Sequence, residues 1–220
     1  MPTQRFEGQI AGVGSTSGVR VVVGSWGRTP LGSFGDAMVE TPGGHRVLIA
    51  PDPDVAEFIE ATYVFDEVRL EPITVSSDGV GWQVRSPSLS LDLTVGGRMP
   101  LGRLLRAVPS RVAASRTWAT LVDPVARVVL KGVRTRGTAL QGRREYYGAT
   151  DLHAVTALEG RFDGASLGAL APVDPPCRFG FSSTPARPSV TTVVTTVVTT
   201  VATTEVASSP RAGTDPTRGT

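Results

Sequence analysis

The sequence predicts an α+β domain, with a strongly curved antiparallel β-sheet or β-barrel-like domain and a basic helical insertion. Apolar and polar residues alternate with a period of two over eight segments, which is typical of half-buried strands. Turn residues separate these segments, as in Thr41-Pro42-Gly43-Gly44. Helical spacing is confined to two stretches. Many short strands joined by turns indicate either a sandwich or a curled barrel, and both stay open here.

The predicted strands are defined by this alternation. In residues 89–95, leucine and valine side chains point one way while serine, aspartate and threonine point the other. The same pattern predicts strands at residues 5–11, 18–24, 36–41, 45–50, 67–75, 81–85 and 143–158.

Two stretches are predicted to be helical. Asp52-Pro53 is a helix-start signal, and Val55, Phe58 and Ile59 follow at helical spacing, which predicts a short helix after the fourth strand. Residues 100–131 form the predicted helical insertion, because their apolar residues recur every three or four positions.

The domain boundary is predicted near residue 184. Residues 1–184 are long enough for one domain with an ordinary core. Residues 185–220 include the low-complexity run VTTVVTTVVTTVATT. Its valines are spaced as on a helix, but β-branched residues disfavour helices, so period and propensity disagree. We therefore expect a disordered tail that is prone to self-association.

Charge is distributed unevenly along the chain. Residues 98–144 carry ten arginines and one lysine against Asp123, a net of +10, whereas residues 36–78 carry a net of −8. The basic segment could attract an anionic partner, or the two segments could face each other in the fold. Nucleic acid is disfavoured because Trp118 is the one aromatic residue in the basic segment. Membrane-surface contact is also disfavoured, because a short basic amphipathic helix is common in globular proteins.

The candidate catalytic residues lie on the strand that begins at Arg143. Strict alternation places Glu145, Tyr147, Asp151 and His153 on one face. A carboxylate beside an imidazole can orient it and tune it as a general base. The alternative is a hydrated outer face, because polar alternation is usual on antiparallel sheets.

The leading functional hypothesis is a binding protein for an anionic or amphipathic small ligand, held in a concave β-sheet pocket under the insertion. The predicted ligand-binding residues are Arg98, Arg103, Arg134 and Arg136. One alternative is an enzyme that uses acid–base chemistry on a small carbonyl or carboxylate substrate. A second alternative is a structural or interaction protein with no small-molecule site.

No metal site and no cofactor are predicted. The chain has two histidines and one cysteine without metal-ligand spacing. Cys177 is expected to be a buried, inert thiol, and a single cysteine suits the cytoplasm. His45 is expected to meet Glu40 across a hairpin, as surface electrostatics.

Three stretches carry a resemblance to a known family. They are residues 27–51 (GRTPLGSFGDAMVETPGGHRVLIAP), 142–153 (GRREYYGATDLH) and 175–185 (PPCRFGFSSTP). Together they resemble a family of uncharacterised single-domain proteins from high-GC bacteria. The resemblance covers most of the predicted domain and none of the Val/Thr run, and it implies no activity and no site residues.

Overall fold

Two helices and thirteen strands are present in the part of the chain that the computed structural model describes, residues 3–108, 136–138, 143–180 and 183–199. The helices are α1 (Pro53–Glu60) and α2 (Pro100–Arg106). The first strands are β1 (Thr3–Ser15), β2 (Arg20–Arg28), β3 (Phe34–Glu40), β4 (Arg46–Ala50), β5 (Glu67–Leu70), β6 (Thr74–Ser77) and β7 (Gly81–Arg85). The others are β8 (Leu89–Arg98), β9 (Arg136–Thr138), β10 (Arg143–Phe162), β11 (Ala165–Ser166), β12 (Leu170–Ala171) and β13 (Ser189–Thr199).

The strands form one curled sheet. Its order is β5-β4-β3-β2-β1-β13-β10-β8-β7-β6, with the short strands β9, β11 and β12 attached at the sides. All pairings are antiparallel except β4 with β5, which are parallel and are joined through α1. The sheet is open and forms a half-barrel, so the predicted α+β fold with a strongly curved sheet is confirmed.

The inner face of the sheet holds the main core. Ala11, Val21 and Val39 project from one half and pack in the same cluster as Trp82 and Leu91 from the other half. The far strand β6 contacts β2 and β3 across this face. Because the two ends of the curled sheet meet through these side chains, the concave side is filled by apolar residues.

The outer face is covered by α1 and by residues 172–180. Asp52 caps α1 by accepting a hydrogen bond from the Val55 amide at 2.9 Å, as the helix-start signal predicts. Leu48 of the sheet packs against Val55 and Ile59 of the helix. A second small cluster joins the sheet to residues 173–179. The domain is therefore layered, with the curled sheet between its filled inner side and an outer cover.

The Val/Thr run is part of the sheet, and its prediction as a disordered tail is wrong for residues 189–199. Strand β13 lies between β1 and β10 and pairs with both along its length. Local propensity already favoured a strand, and the two neighbouring strands provide hydrogen-bond partners for the backbone of β13 on both sides. The predicted boundary near residue 184 therefore precedes a strand of this sheet. Residues 200–220 lie outside the described part of the chain.

The helical insertion is described at its beginning. Helix α2 starts the predicted 100–131 segment and packs on β10, where Gly102 approaches the Leu152 backbone so closely that a Cβ atom would overlap it. Residues 109–135 lie outside the described residues. Neither described helix has the length and apolar character to cross a lipid bilayer.

One predicted strand is divided in two. The alternation over residues 67–75 predicts a single strand, but β5 ends at Leu70 and β6 begins at Thr74. Pro72 lies in the break and has no amide hydrogen for a sheet ladder. Glu71 stabilises the neighbouring turn by accepting hydrogen bonds from Ser86 and Ser88.

Candidate functional site

A cavity of about 60 Å³ lies between the outer face of the sheet and α1. Strands β1, β2, β3 and β13 form its floor, and α1 with the loop after it forms its roof. The lining residues are Phe6, Ile10, Val22, Gly24, Trp26, Phe34, Asp36, Met38, Phe58, Ile59, Thr62, Tyr63, Thr195 and Val197. The cavity lies on the opposite side of the sheet from the concave face, where the sequence hypothesis placed the pocket.

Aromatic rings form much of the wall. The rings of Phe6 and Phe58 are stacked with their centroids 4.5 Å apart, which joins β1 to α1. Trp26 packs against Phe6 edge to face at 6.1 Å and against Phe34 at 6.3 Å. These rings make an apolar wall with electron-rich faces.

Asp36 is the charged group in this wall. Its side chain is 4% exposed, and the Trp26 indole Nε1–H donates a hydrogen bond of 2.8 Å to its Oδ1. Burial raises the pKa of Asp36 to about 6, because desolvation of the carboxylate outweighs the hydrogen bond from Trp26. Gly24 makes this arrangement possible, since a Cβ atom there would overlap both the Asp36 carboxyl and the indole nitrogen.

Thr195 adds a second polar group. It is 4% exposed and lines the cavity from β13. Its Oγ1 is buried and has no hydrogen-bond partner among the residues that the structure describes. A buried hydroxyl without a partner is unusual and costs stability, so it is a natural contact for a bound polar group.

The predicted catalytic strand contains a β-bulge that breaks the alternation. On β13, Ala149 lies opposite Val193 and Asp151 lies opposite Thr192. Thr150 is therefore an extra residue between two consecutive positions of the partner strand. Beyond this bulge, the alternation of side chains along β10 is shifted by one residue relative to the alternation before it.

The bulge separates the four predicted catalytic residues. Before the bulge, Glu145 pairs in register with Val197, and Tyr147 pairs with Thr195. Asp151 and His153 lie on the inner-face side. The bulge interrupts the strict alternation on which the prediction of one shared face depends, and the catalytic assignment of the four residues stays a prediction.

Asp151 is already paired with one of the predicted ligand-binding arginines. The Arg98 guanidinium donates hydrogen bonds to both carboxylate oxygens, at 2.8 to 3.1 Å, and the Leu152 amide donates another at 2.8 Å. Burial opposes ionisation, but these hydrogen bonds outweigh it and hold the pKa of Asp151 below its ordinary value. Asp151 is therefore an ionised structural partner that anchors the end of β8, poorly suited to accept a proton near neutral pH.

Of the other predicted ligand-binding arginines, Arg103 is the one whose side chain the structure describes, and it does not line the cavity. Arg103 is exposed on α2. Arg136 lies in β9, which pairs with β10 opposite Tyr146. Arg134 lies outside the described residues.

Among the described residues, the carboxylates of the acidic segment (residues 36–78) form ion pairs with arginines outside the basic segment (residues 98–144). Glu40 contacts Arg20 and Arg178, Asp66 contacts Arg46, and Glu67 contacts Arg69. Within the described residues, the hypothesis that residues 36–78 face residues 98–144 is not supported. His45 contacts Glu67 at 3.0 Å instead of the expected Glu40, because the hairpin register places Arg46 opposite Glu40.

Cys177 has the environment expected of an inert thiol. It is 4% exposed, and burial raises the pKa of its thiol to about 12. Across the described residues, no group of three potential metal ligands comes together.

Sequence reasoning missed Asp36 as a site residue because it was counted as one charge in an acidic segment. A signal was present. Alternation places Asp36 on the same face as Phe34 and Met38, while Ala37 and Val39 occupy the other face, so Asp36 belongs to a strand that is apolar on both faces. A carboxyl group in such a strand is expected to be buried and to have a specific role.

No family model matches the chain, and comparisons with curated proteins and with solved structures give no significant match. The resemblance to a family from high-GC bacteria therefore stays a prediction, and the geometry of the cavity is the basis for a functional proposal.

Proposed function

We propose that this protein binds a small amphipathic molecule, whose apolar part enters the cavity beneath α1 and whose polar group reaches Asp36 and Thr195. One observation carries the proposal: an aromatic cavity holds two buried polar groups whose hydrogen-bonding capacity the described residues do not use fully. Apolar pockets with a few convergent polar groups are the usual form of small-molecule sites.

The energetics support a ligand more than an empty packing defect. Leaving a buried hydroxyl such as that of Thr195 without a partner costs on the order of 1–3 kcal/mol. A ligand that supplies a hydrogen bond would recover part of this cost in the bound state. Because the free protein keeps this free-energy cost until a ligand binds, the part that is recovered contributes to the binding affinity.

The size of the cavity limits what enters it. A single water needs roughly 10–15 Å³ of such space. The cavity, at about 60 Å³, therefore accommodates a group of a few heavy atoms. We propose either a very small ligand or the end of a longer one whose remainder lies between Trp26 and Phe58, which are both only partly buried.

The sequence analysis left an anionic ligand and an amphipathic ligand as alternatives, and the cavity favours the amphipathic ligand. An anion in the cavity would lie near the Asp36 carboxylate, and like charges in a buried site repel strongly. Arg98, one of the arginines expected at the pocket mouth, does not compensate, because its guanidinium is engaged by Asp151. A cytoplasmic location is part of the proposal, and the lone buried thiol of Cys177 is compatible with it.

Filling the cavity tests the proposal. A panel of small amphipathic compounds would be tested for binding by ligand-observed NMR, with native mass spectrometry of the purified protein to detect a co-purified molecule. Ile10→Phe places a larger side chain in the cavity, whereas Val80→Phe adds the same ring at a residue that is 66% exposed. We expect binding to the wild-type protein and to Val80→Phe, and at least a tenfold loss in Ile10→Phe. Absence of binding to the wild-type protein, or equal binding to a folded Ile10→Phe variant, would show that the cavity is not the site.

A further inference from the structure

We propose that the cavity selects a small organic cation, an ammonium group on a short apolar body, with Asp36 as its counter-ion and the surrounding aromatic rings as its cage. This inference rests on the proposed function and specifies the chemical class of the ligand.

The charge of the cavity wall supports a cation. Among the described residues that line the cavity, Asp36 and Tyr63 are the titratable side chains, and no arginine, lysine or histidine lines it. On β2, Trp26 and Gly24 lie next to Asp36. On β13, Thr195 and Val197 complete the wall. None of these groups carries a positive charge, so the described lining supplies no counter-ion for the carboxylate.

An ammonium group meets the needs of the carboxylate better than a neutral donor does. The Trp26 indole supplies one hydrogen bond to Oδ1, but it supplies no charge. A buried carboxylate is costly unless it is both hydrogen-bonded and paired. A ligand hydroxyl would add only a hydrogen bond, whereas an ammonium group would add a hydrogen bond and neutralise the charge.

The aromatic wall favours the same ligand. Cations bind over aromatic faces within about 6 Å of the ring centroid, and desolvated sites strengthen the attraction. The rings of Phe6, Trp26, Phe34 and Phe58 form a connected cluster with neighbouring centroids 4.5 to 6.3 Å apart. The Thr195 hydroxyl can accept a further hydrogen bond from an N–H group on the β13 side of the cavity.

Three probes with the same carbon skeleton separate charge from shape: isobutylammonium, isobutanol and isobutyrate. Each would be titrated into the full chain at pH 7.5. The indole N–H resonance of Trp26, assigned by substituting each tryptophan in turn, reports directly on the site because this N–H donates to Asp36. We expect isobutylammonium to bind at least tenfold more tightly than isobutanol, and isobutyrate to bind most weakly.

The matched variants are Asp36→Asn, which keeps an acceptor for Trp26 but removes the charge, and Asp92→Asn, which removes an exposed carboxylate on β8. We expect the preference for the ammonium probe to fall at least fivefold in Asp36→Asn and to stay unchanged in Asp92→Asn. If isobutanol binds the wild-type protein as tightly as isobutylammonium, the cation inference is overturned while the proposed binding function stands. If none of the three probes moves the Trp26 resonance, both proposals fail at this cavity. The wild-type series is decisive even if Asp36→Asn does not fold.

Discussion

Arg20 and Glu40 form an ion pair that is almost completely removed from water. Arg20 Nη2 lies 3.1 Å from Glu40 Oε1, and the two side chains are 5% and 0% exposed. The pair also holds residues 175–178 on the sheet. Arg20 donates to the Pro175 carbonyl at 2.8 Å, and Glu40 accepts from the Arg178 amide at 2.8 Å. A buried charge of this kind stabilises the fold only while its partner is present.

Glu40→Gln should therefore destabilise the protein strongly, by about 3–5 kcal/mol, because it leaves the Arg20 guanidinium buried without a counter-ion. Urea unfolding at pH 7.5 measures the effect. The control is Asp92→Asn, which breaks the exposed pair with Arg85 and should cost at most about 1 kcal/mol. A loss in Glu40→Gln no larger than that of the control would contradict this account.

Asp36 should make the protein less stable as the pH rises. Folding raises the pKa of Asp36 from 3.8 to about 6, so the folded state disfavours the ionised form. The penalty is absent below pH 4, develops between pH 4 and 6, and is complete above pH 6, where it amounts to about 3 kcal/mol.

Asp36→Asn isolates this penalty. Relative to wild type, the free energy of unfolding of the variant should increase by about 2–3 kcal/mol between pH 4 and pH 7.5. Comparing the two pH values cancels the constant cost of burying the amide. The measurement is urea unfolding of both proteins at several pH values, and a pH-independent difference would show that Asp36 does not titrate with a raised pKa.

Thr195→Val should stabilise the protein, by about 1–3 kcal/mol, because it replaces a buried hydroxyl that has no partner in the described part of the chain with a methyl group of similar size. Thr196→Val, on the other face of β13 and only partly buried, should change stability by less than about 0.5 kcal/mol. Thermal unfolding of both variants in ligand-free buffer provides the comparison. Destabilisation by Thr195→Val would indicate that its hydroxyl is hydrogen-bonded in solution, for example to water.

The repeat in β13 should tolerate loss of one unit. Deleting residues 190–193 brings the next VTTV unit to the same positions opposite β1, so residues of the same type again face each side of the sheet. We expect the free energy of unfolding to change by less than about 1 kcal/mol. Deleting residues 191–192 instead places threonines at the buried positions of Val193 and Val197 and a valine at that of Thr195. Two buried hydroxyls then replace one, so we expect a net cost of about 1–3 kcal/mol. Equal losses in the two deletions would show that the repeat does not set the pairing.

Much of the fold was predictable because local patterns reflect it directly. The alternation in residues 89–95 corresponds to β8, and the cap at Asp52 corresponds to the start of α1. The same reasoning failed at residues 189–199, where two local preferences conflicted and only pairing with β1 and β10 decides between them. The alternation is also interrupted at residues 145–153, because a bulge depends on the register of two distant strands.

By itself, the sequence determined the strand-rich α+β class, the strong curvature of the sheet, the first helix and the inert character of Cys177, because each follows from residue type and short-range spacing. Tertiary structure alone decided where β13 inserts, which arginine meets each carboxylate, and that Asp36 faces an aromatic cavity. The reason is physical. Alternation specifies that a residue lies on one face of a strand, whereas burial, counter-ions and cavities arise only when strands distant in sequence pack together.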